Sequence, residues 1–149
     1  MTSIRLSAWT LAGAVVLTAG LTGCSTSTNA AAIEQVAEAP AGQLAPGRVD
    51  VAQFGEVITR PGMQIIDVRT PEEFAAGHIR GAVNIPVQQS GFAARIAQLD
   101  PSGSYAVYCR SGNRSQGAVA QMKSAGIVNI YELAEGTNGW TADGQPLIR

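Results

Sequence analysis

YAVYCRSGNRSQGAVAQMKSA, from Tyr105 to Ala125, is the stretch around which the rest of this 149-residue chain is arranged. Tyr105-Ala106-Val107-Tyr108 has the length and the aromatic and β-branched content of a buried strand. It stops at Cys109. Beyond Ser115 a helical spacing sets in, with Ala118, Val119, Met122 and Ala125 three or four residues apart. Between strand and helix lie Arg110, Ser111, Gly112, Asn113 and Arg114, polar residues in which Gly and Asn tolerate left-handed backbone. A strand, a tight loop and a helix N-terminus gather backbone N–H groups around one point, with the positive end of the helix dipole aimed at it. A thiol at the mouth of such a cradle is expected to ionise early. The pattern predicts a cysteine nucleophile acting on an anionic substrate.

The chain has room for one domain and a tail. Its formal charge is −1, only 14% of residues are charged, and no basic cluster occurs. Nucleic acid is therefore excluded as an expected partner. Residues 1–23 read as a targeting segment: Arg5 is followed by an uncharged stretch from Leu6 to Leu21, about 16 residues, short of the ~20 that a spanning helix needs. Leu21-Thr22-Gly23-Cys24 resembles the lipobox of bacterial lipoproteins. That resemblance implies cleavage before Cys24, lipidation of its sulfur, and an extracytoplasmic, membrane-anchored protein of the cell envelope. An uncleaved anchor and an ordinary secreted form are the alternatives. Residues 24–47, rich in Ser, Thr, Ala and Pro, are expected to be a flexible tether. With Cys24 lipidated, Cys109 is the lone thiol and has no intrachain disulfide partner. An inert core cysteine is the competing reading, and the Gly and Arg residues beside it weigh against that.

In the remainder, Asp50 is expected to cap a helix bearing Val51, Phe54 and Val57. Met63 to Val68 reads as a strand ending on the carboxylate of Asp67. Thr70-Pro71-Glu72-Glu73 reads as a helix start, with a capping hydroxyl, Pro at the first helical position and acids against the dipole. That helix closes at Gly77. A short strand covers Ala82–Ile85, a helix Phe92–Leu99, and a further strand Ile127–Tyr131 after a left-handed cap at Gly126. Alternating strands and helices imply an α/β fold whose mostly parallel sheet is covered on both faces. Active residues then belong at the carboxyl ends of strands, where Asp67 and Cys109 fall.

Three segments carry a resemblance: Asp67-Val68-Arg69-Thr70-Pro71-Glu72-Glu73-Phe74, Gly77-His78-Ile79-Arg80-Gly81-Ala82-Val83-Asn84-Ile85-Pro86, and Cys109-Arg110-Ser111-Gly112-Asn113-Arg114-Ser115. Together they resemble rhodanese-like (thiosulfate sulfurtransferase) domains, and the likeness extends over residues 48–149. It implies a rhodanese-like α/β fold with a five-stranded sheet. It also implies a Cys109 thiolate that takes sulfur from thiosulfate or a similar small anion. The loop Arg110 to Ser115 would stabilise the persulfide, and a thiol, cyanide or a protein would accept the sulfur. No metal or organic cofactor is needed. Arg110 and Arg114 are expected to attract the donor. Arg114 needs a further reason to stand at a helix N-terminus, where a cation is unfavourable. Asp67 and Arg69 are expected to pair and hold the loop, with direct catalysis the alternative. His78 is expected to bond Glu73 or backbone, and Trp140 to pack in the core.

One departure concerns Leu133-Ala134-Glu135-Gly136, where Glu135 stands at a position that is commonly Gly in the family. Cysteine-dependent phosphatases space Cys and Arg with five intervening residues; Cys109 and Arg114 have four between them, a smaller ring better suited to one sulfur atom than to a phosphoryl group. A non-enzymatic persulfide carrier, redox sensor or binding module is the other class of reading.

Overall fold

The computed structural model describes residues 44–149. The expected signal segment, the lipidation site Cys24 and all but the last residues of the expected tether lie outside them. Five parallel strands form one sheet: β1 (Gly47–Val49), β2 (Met63–Asp67), β3 (Ala82–Asn84), β4 (Ser104–Tyr108) and β5 (Ile130–Leu133). Their order is β1-β5-β4-β2-β3, so β4, which delivers Cys109, lies at the centre. The helices are α1 (Val51–Val57), α2 (Pro71–Ala76), α3 (Phe92–Ile96), α4 (Asn113–Ser124) and α5 (Gly136–Ala142).

Strand alternation sorts the core into two layers. Ile66, Tyr105, Val107, Cys109 and Ile130 face one side and pack with Phe92 and Ile96 of α3 and Ala118 and Met122 of α4. Ile65, Ala106, Tyr108, Tyr131 and Leu133 face the other, against Phe54 and Val57 of α1 and Trp140 of α5. Phe54 meets Tyr108 and Trp140 edge-on, with ring centroids 6.3 and 6.1 Å away, a geometry that aromatic quadrupoles favour. Trp140 is core packing, as expected, and its Nε1 donates to the Pro146 carbonyl. Helix α2 buries no residue and belongs to neither layer. It follows the carboxyl end of β2, and the Glu73–Arg114 ion pair and the Arg69 bond to the Gly77 carbonyl tie it to the rest of the domain.

Local signals hold closely. Asp50 accepts from the Gln53 N–H and the Gln53 side chain reaches back, a capping box at α1; Thr70 and Glu73 form the same reciprocal cap at α2, with Pro71 at its first position. Gly126, at φ +89°, ends α4. Its N–H bonds the Lys123 carbonyl and the Ile127 N–H bonds that of Met122, a Schellman closure sealed by burial of Ile127 against Met122.

That closure also shifts the last strand. Ile127, Val128 and Asn129, expected in the last strand, lie between that closure and the strand, and β5 runs from Ile130 to Leu133. Helix α3 ends at Ile96 and continues to Leu99 as turns. Ala125, expected on the apolar face of α4, is exposed. The expected boundary at residue 48 falls inside β1, and the Leu44 carbonyl accepts the Tyr131 hydroxyl at 3.0 Å. A three-residue edge strand has no periodicity of its own and exists only through its pairing with β5.

Candidate active site

Cys109 follows the last residue of β4 and is fully buried, its side chain on the α4 side of the sheet. The chain turns at Gly112, left-handed at φ 78°, and enters α4 at Asn113. A Cβ at position 112 would strike the Ala134 carbonyl, so the turn needs glycine on steric as well as conformational grounds. Burial pushes the Cys109 thiol up. The Ser115 hydroxyl and the backbone N–H groups of Ser115, Ser111 and Arg114 pull it down and prevail, leaving the thiol below its ordinary value.

The loop is clamped from behind by the start of α5. The Thr137 N–H donates to the Cys109 carbonyl at 2.9 Å and the Asn138 N–H to that of Arg110 at 3.0 Å. Orphan donors of one helix N-terminus thus fix the entry of the nucleophile loop. Gly136, at φ +58°, allows this approach, because a Cβ there would collide with the Cys109 and Arg110 backbone. Glu135 precedes it at φ −94°, right-handed backbone that any residue adopts. The departure from the common glycine therefore carries no backbone strain. Glu135 lines a surface hollow with Asp50, Val51, Gly139 and Asp143, none of them in the 109–115 loop.

The two loop arginines have different fates. Arg110 is exposed, and among the described residues its guanidinium has no hydrogen-bond partner. Arg114, expected to attract the donor, is instead engaged: Nη1 and Nη2 donate to Glu73 Oε2 and Oε1 at 2.6 and 2.7 Å. The pair explains a cation in the first turn of α4, since it joins α4 to α2 with a bidentate contact. The Arg114 guanidinium, opposed by burial, holds the Glu73 carboxyl at about 2. Ser111 and Asn113 are exposed, and the Gln116 side chain donates to the Gly112 carbonyl.

Asp67 and Arg69 pair as expected but do not hold the Cys109 loop. Arg69 Nε bonds both Asp67 oxygens, at 3.0 and 2.9 Å, and Nη2 adds a third contact at 2.6 Å. Nη2 also donates to the Gly77 carbonyl, and Asn84 Nδ2 donates to the carbonyls of Asp67 and Arg69. These bonds lock the α2–β3 segment onto the end of β2. His78 Nδ1 lies 3.1 Å from the Phe74 carbonyl and its ring stacks on Phe74, so backbone, not Glu73, is its partner.

One site residue escapes the sequence reading. Glu132, buried in β5, accepts the Ser115 hydroxyl at 2.7 Å, and Ser115 Oγ accepts the Cys109 thiol at 3.5 Å. The available signal was a lone carboxylate inside the apolar run Ile130-Tyr131-Glu132-Leu133, which buried strands rarely carry unpartnered.

Comparison with known proteins bears on the same region. The profile of the rhodanese-like domain family matches residues 50–143. The chain is 34% identical to "Thiosulfate sulfurtransferase GlpE" of Pseudomonas putida, an alignment covering 64% of this chain and 84% of that protein. It is 33% identical to "Thiosulfate sulfurtransferase 16, chloroplastic" of Arabidopsis thaliana, covering 57% of this chain and 79% of the relative. Among solved structures, a rhodanese-related protein from Thermoplasma volcanium superposes with a TM-score of 0.60 at 32% identity, covering 68% of this chain and 96% of the other. On a match that runs from residue 50 to residue 143 and takes in the whole Cys109 loop, this chain belongs to the rhodanese-like domain family.

Proposed function

We propose that the protein is a sulfurtransferase that carries sulfane sulfur on Cys109. One observation carries the reading: a thiol held below its ordinary value at the end of the central strand, under the N–H groups of Ser111, Arg114 and Ser115. Relatives named as thiosulfate sulfurtransferases support thiosulfate as the class of donor. The Cys109 thiolate attacks the outer sulfur, a new S–S bond forms, and the bond to the sulfonate sulfur breaks with its electron pair leaving as sulfite. The persulfide's negative charge is met by the same N–H groups. A thiophilic acceptor then attacks the terminal sulfur, and Cys109 departs as thiolate. This is a two-step covalent cycle.

The arginine arrangement favours sulfur over phosphoryl transfer. A phosphatase loop needs its arginine turned onto the bound anion, whereas the Arg114 fork is committed to Glu73. Arg110 is left to draw in a small anion. The test is steady-state transfer from thiosulfate to cyanide: parallel double-reciprocal lines are expected, with no turnover by Cys109→Ser. Intersecting lines, or turnover that survives in the variant, would contradict the covalent cycle.

We further propose that Cys24 anchors the protein to the outer face of a membrane, on the support of the Leu21-Thr22-Gly23-Cys24 ending. Incorporation of labelled fatty acid that disappears in Cys24→Ser is the expected result.

A further inference from the structure

Cys109, Ser115 and Glu132 form a line of three protic groups reaching from the nucleophile at the end of β4 to the neighbouring strand β5. Ser115 Oγ donates to Glu132 Oε1 at 2.7 Å, and the Cys109 thiol donates to Ser115 Oγ at 3.5 Å. A hydroxyl carries one proton. The Ser115 hydroxyl lowers the Cys109 thiol only with its proton turned to the sulfur; while Glu132 holds that proton, Ser115 shows sulfur only lone pairs, which suit a thiol and oppose a thiolate. Sulfur and carboxylate therefore compete for the same proton.

At its other end, Glu132 Oε1 lies 3.4 Å from Arg48 Nη1, directly across the β1–β5 register. The pair is lopsided: the Glu132 side chain is 7% exposed and that of Arg48 44%. Arg48 is also drawn away by its bond to the Ala134 carbonyl at 2.9 Å. A solvated guanidinium at this distance offsets only part of a buried carboxylate's charge. The remaining charges around the line are engaged or remote. Arg114 is bound to Glu73, Asp67 at the end of β2 is bound to Arg69, Arg110 points to solvent, and Lys123 stands in the last turn of α4. The sulfur-transfer cycle makes no use of Glu132.

We propose that Glu132 is a positioning residue for Cys109: by taking the Ser115 proton it keeps the resting cysteine a thiol, so that ionisation needs a higher pH than the loop N–H groups alone would set. Arg48 tempers this from the solvent side. The consequence for catalysis rests on Cys109 being the sulfur carrier proposed above, but the proposal itself concerns ionisation of the thiol. It is therefore tested without sulfur transfer, and the two ideas fail separately.

The measurement is the pH dependence of iodoacetamide alkylation at Cys109, followed by peptide mass in the full chain. Glu132→Gln keeps the shape of the side chain and removes its charge. It should lower the alkylation midpoint by about one pH unit, roughly a tenfold gain in thiolate below the midpoint. Arg48→Met, at a half-exposed position, should raise the midpoint by several tenths of a unit. A Glu132→Gln midpoint that is unchanged or higher overturns the proposal. If that variant does not fold, Arg48→Met decides: a raised midpoint supports the proposal, and an unmoved or lowered one overturns it.

Discussion

Two carboxylates, Asp67 and Glu132, each meet a guanidinium near the carboxyl end of the sheet, and they do opposite things with it. Asp67 is bound by Arg69 through several short contacts within a span of two residues, and both side chains are almost wholly buried. Nothing of the pair is left over, and its outward bonds run to Gly77 and Asn84. Glu132 meets Arg48 across 84 residues through one long contact, and its second partner is a hydroxyl that also touches the nucleophile. A closed pair is a structural fastener. An open one remains coupled to the chemistry beside it.

Breaking the closed pair should have the largest effect. Arg69→Met strands a fully buried carboxylate and should cost about 3–5 kcal/mol, read from the midpoint of urea unfolding. Arg48→Met should cost less than about 1 kcal/mol in the same measurement, because its guanidinium is half-exposed and makes only one long contact to Glu132. Equal costs would remove the distinction between fastener and tuner.

A smaller effect sharpens the contrast behind the loop, where two neighbouring positions border the same turn. Gly136→Ala forces a Cβ into the Cys109 and Arg110 backbone at positive φ, and should cost about 2 kcal/mol and slow sulfur transfer. Glu135→Gly, which restores the family's common residue, should change stability by no more than about 0.5 kcal/mol, since Glu135 is unstrained. A large gain in activity from Glu135→Gly would show that its charge reaches the site.

The third pair, Glu73 with Arg114, lies between the extremes, each side chain 26% exposed. Glu73 is held at about 2, below its value in the unfolded chain. Its contribution is therefore fully present above the ordinary carboxylate range and is lost as pH falls toward about 2. Acid unfolding of Arg114→Met should begin at higher pH than that of the natural protein, with a difference near neutrality of about 1 kcal/mol. Parallel acid limbs would mean that the pair contributes nothing to folding.

What the sequence made legible is what lies within a turn or so of itself. The Asp50 and Thr70 caps, the Gly126 closure and the tight turn from Cys109 into α4 all depend on spacings of a few residues. The missed features depend on partners far along the chain. β1 exists only against β5, Arg114 finds Glu73 41 residues away, and Glu132 acquires its meaning from Arg48 and Ser115. Side-chain type announced that Glu132 and Arg114 needed partners; only the packed sheet and helices say which.

A persulfide on Cys109 is read directly from intact mass. The full chain carrying Cys24→Ser, which leaves Cys109 as its sole thiol, is reduced, treated with thiosulfate and then with cyanide. The expected result is the gain of one sulfur atom, its removal by cyanide, and no gain when Cys109→Ser is added. A fully reduced thiol that gains no sulfur, or a gain that persists without Cys109, would contradict it.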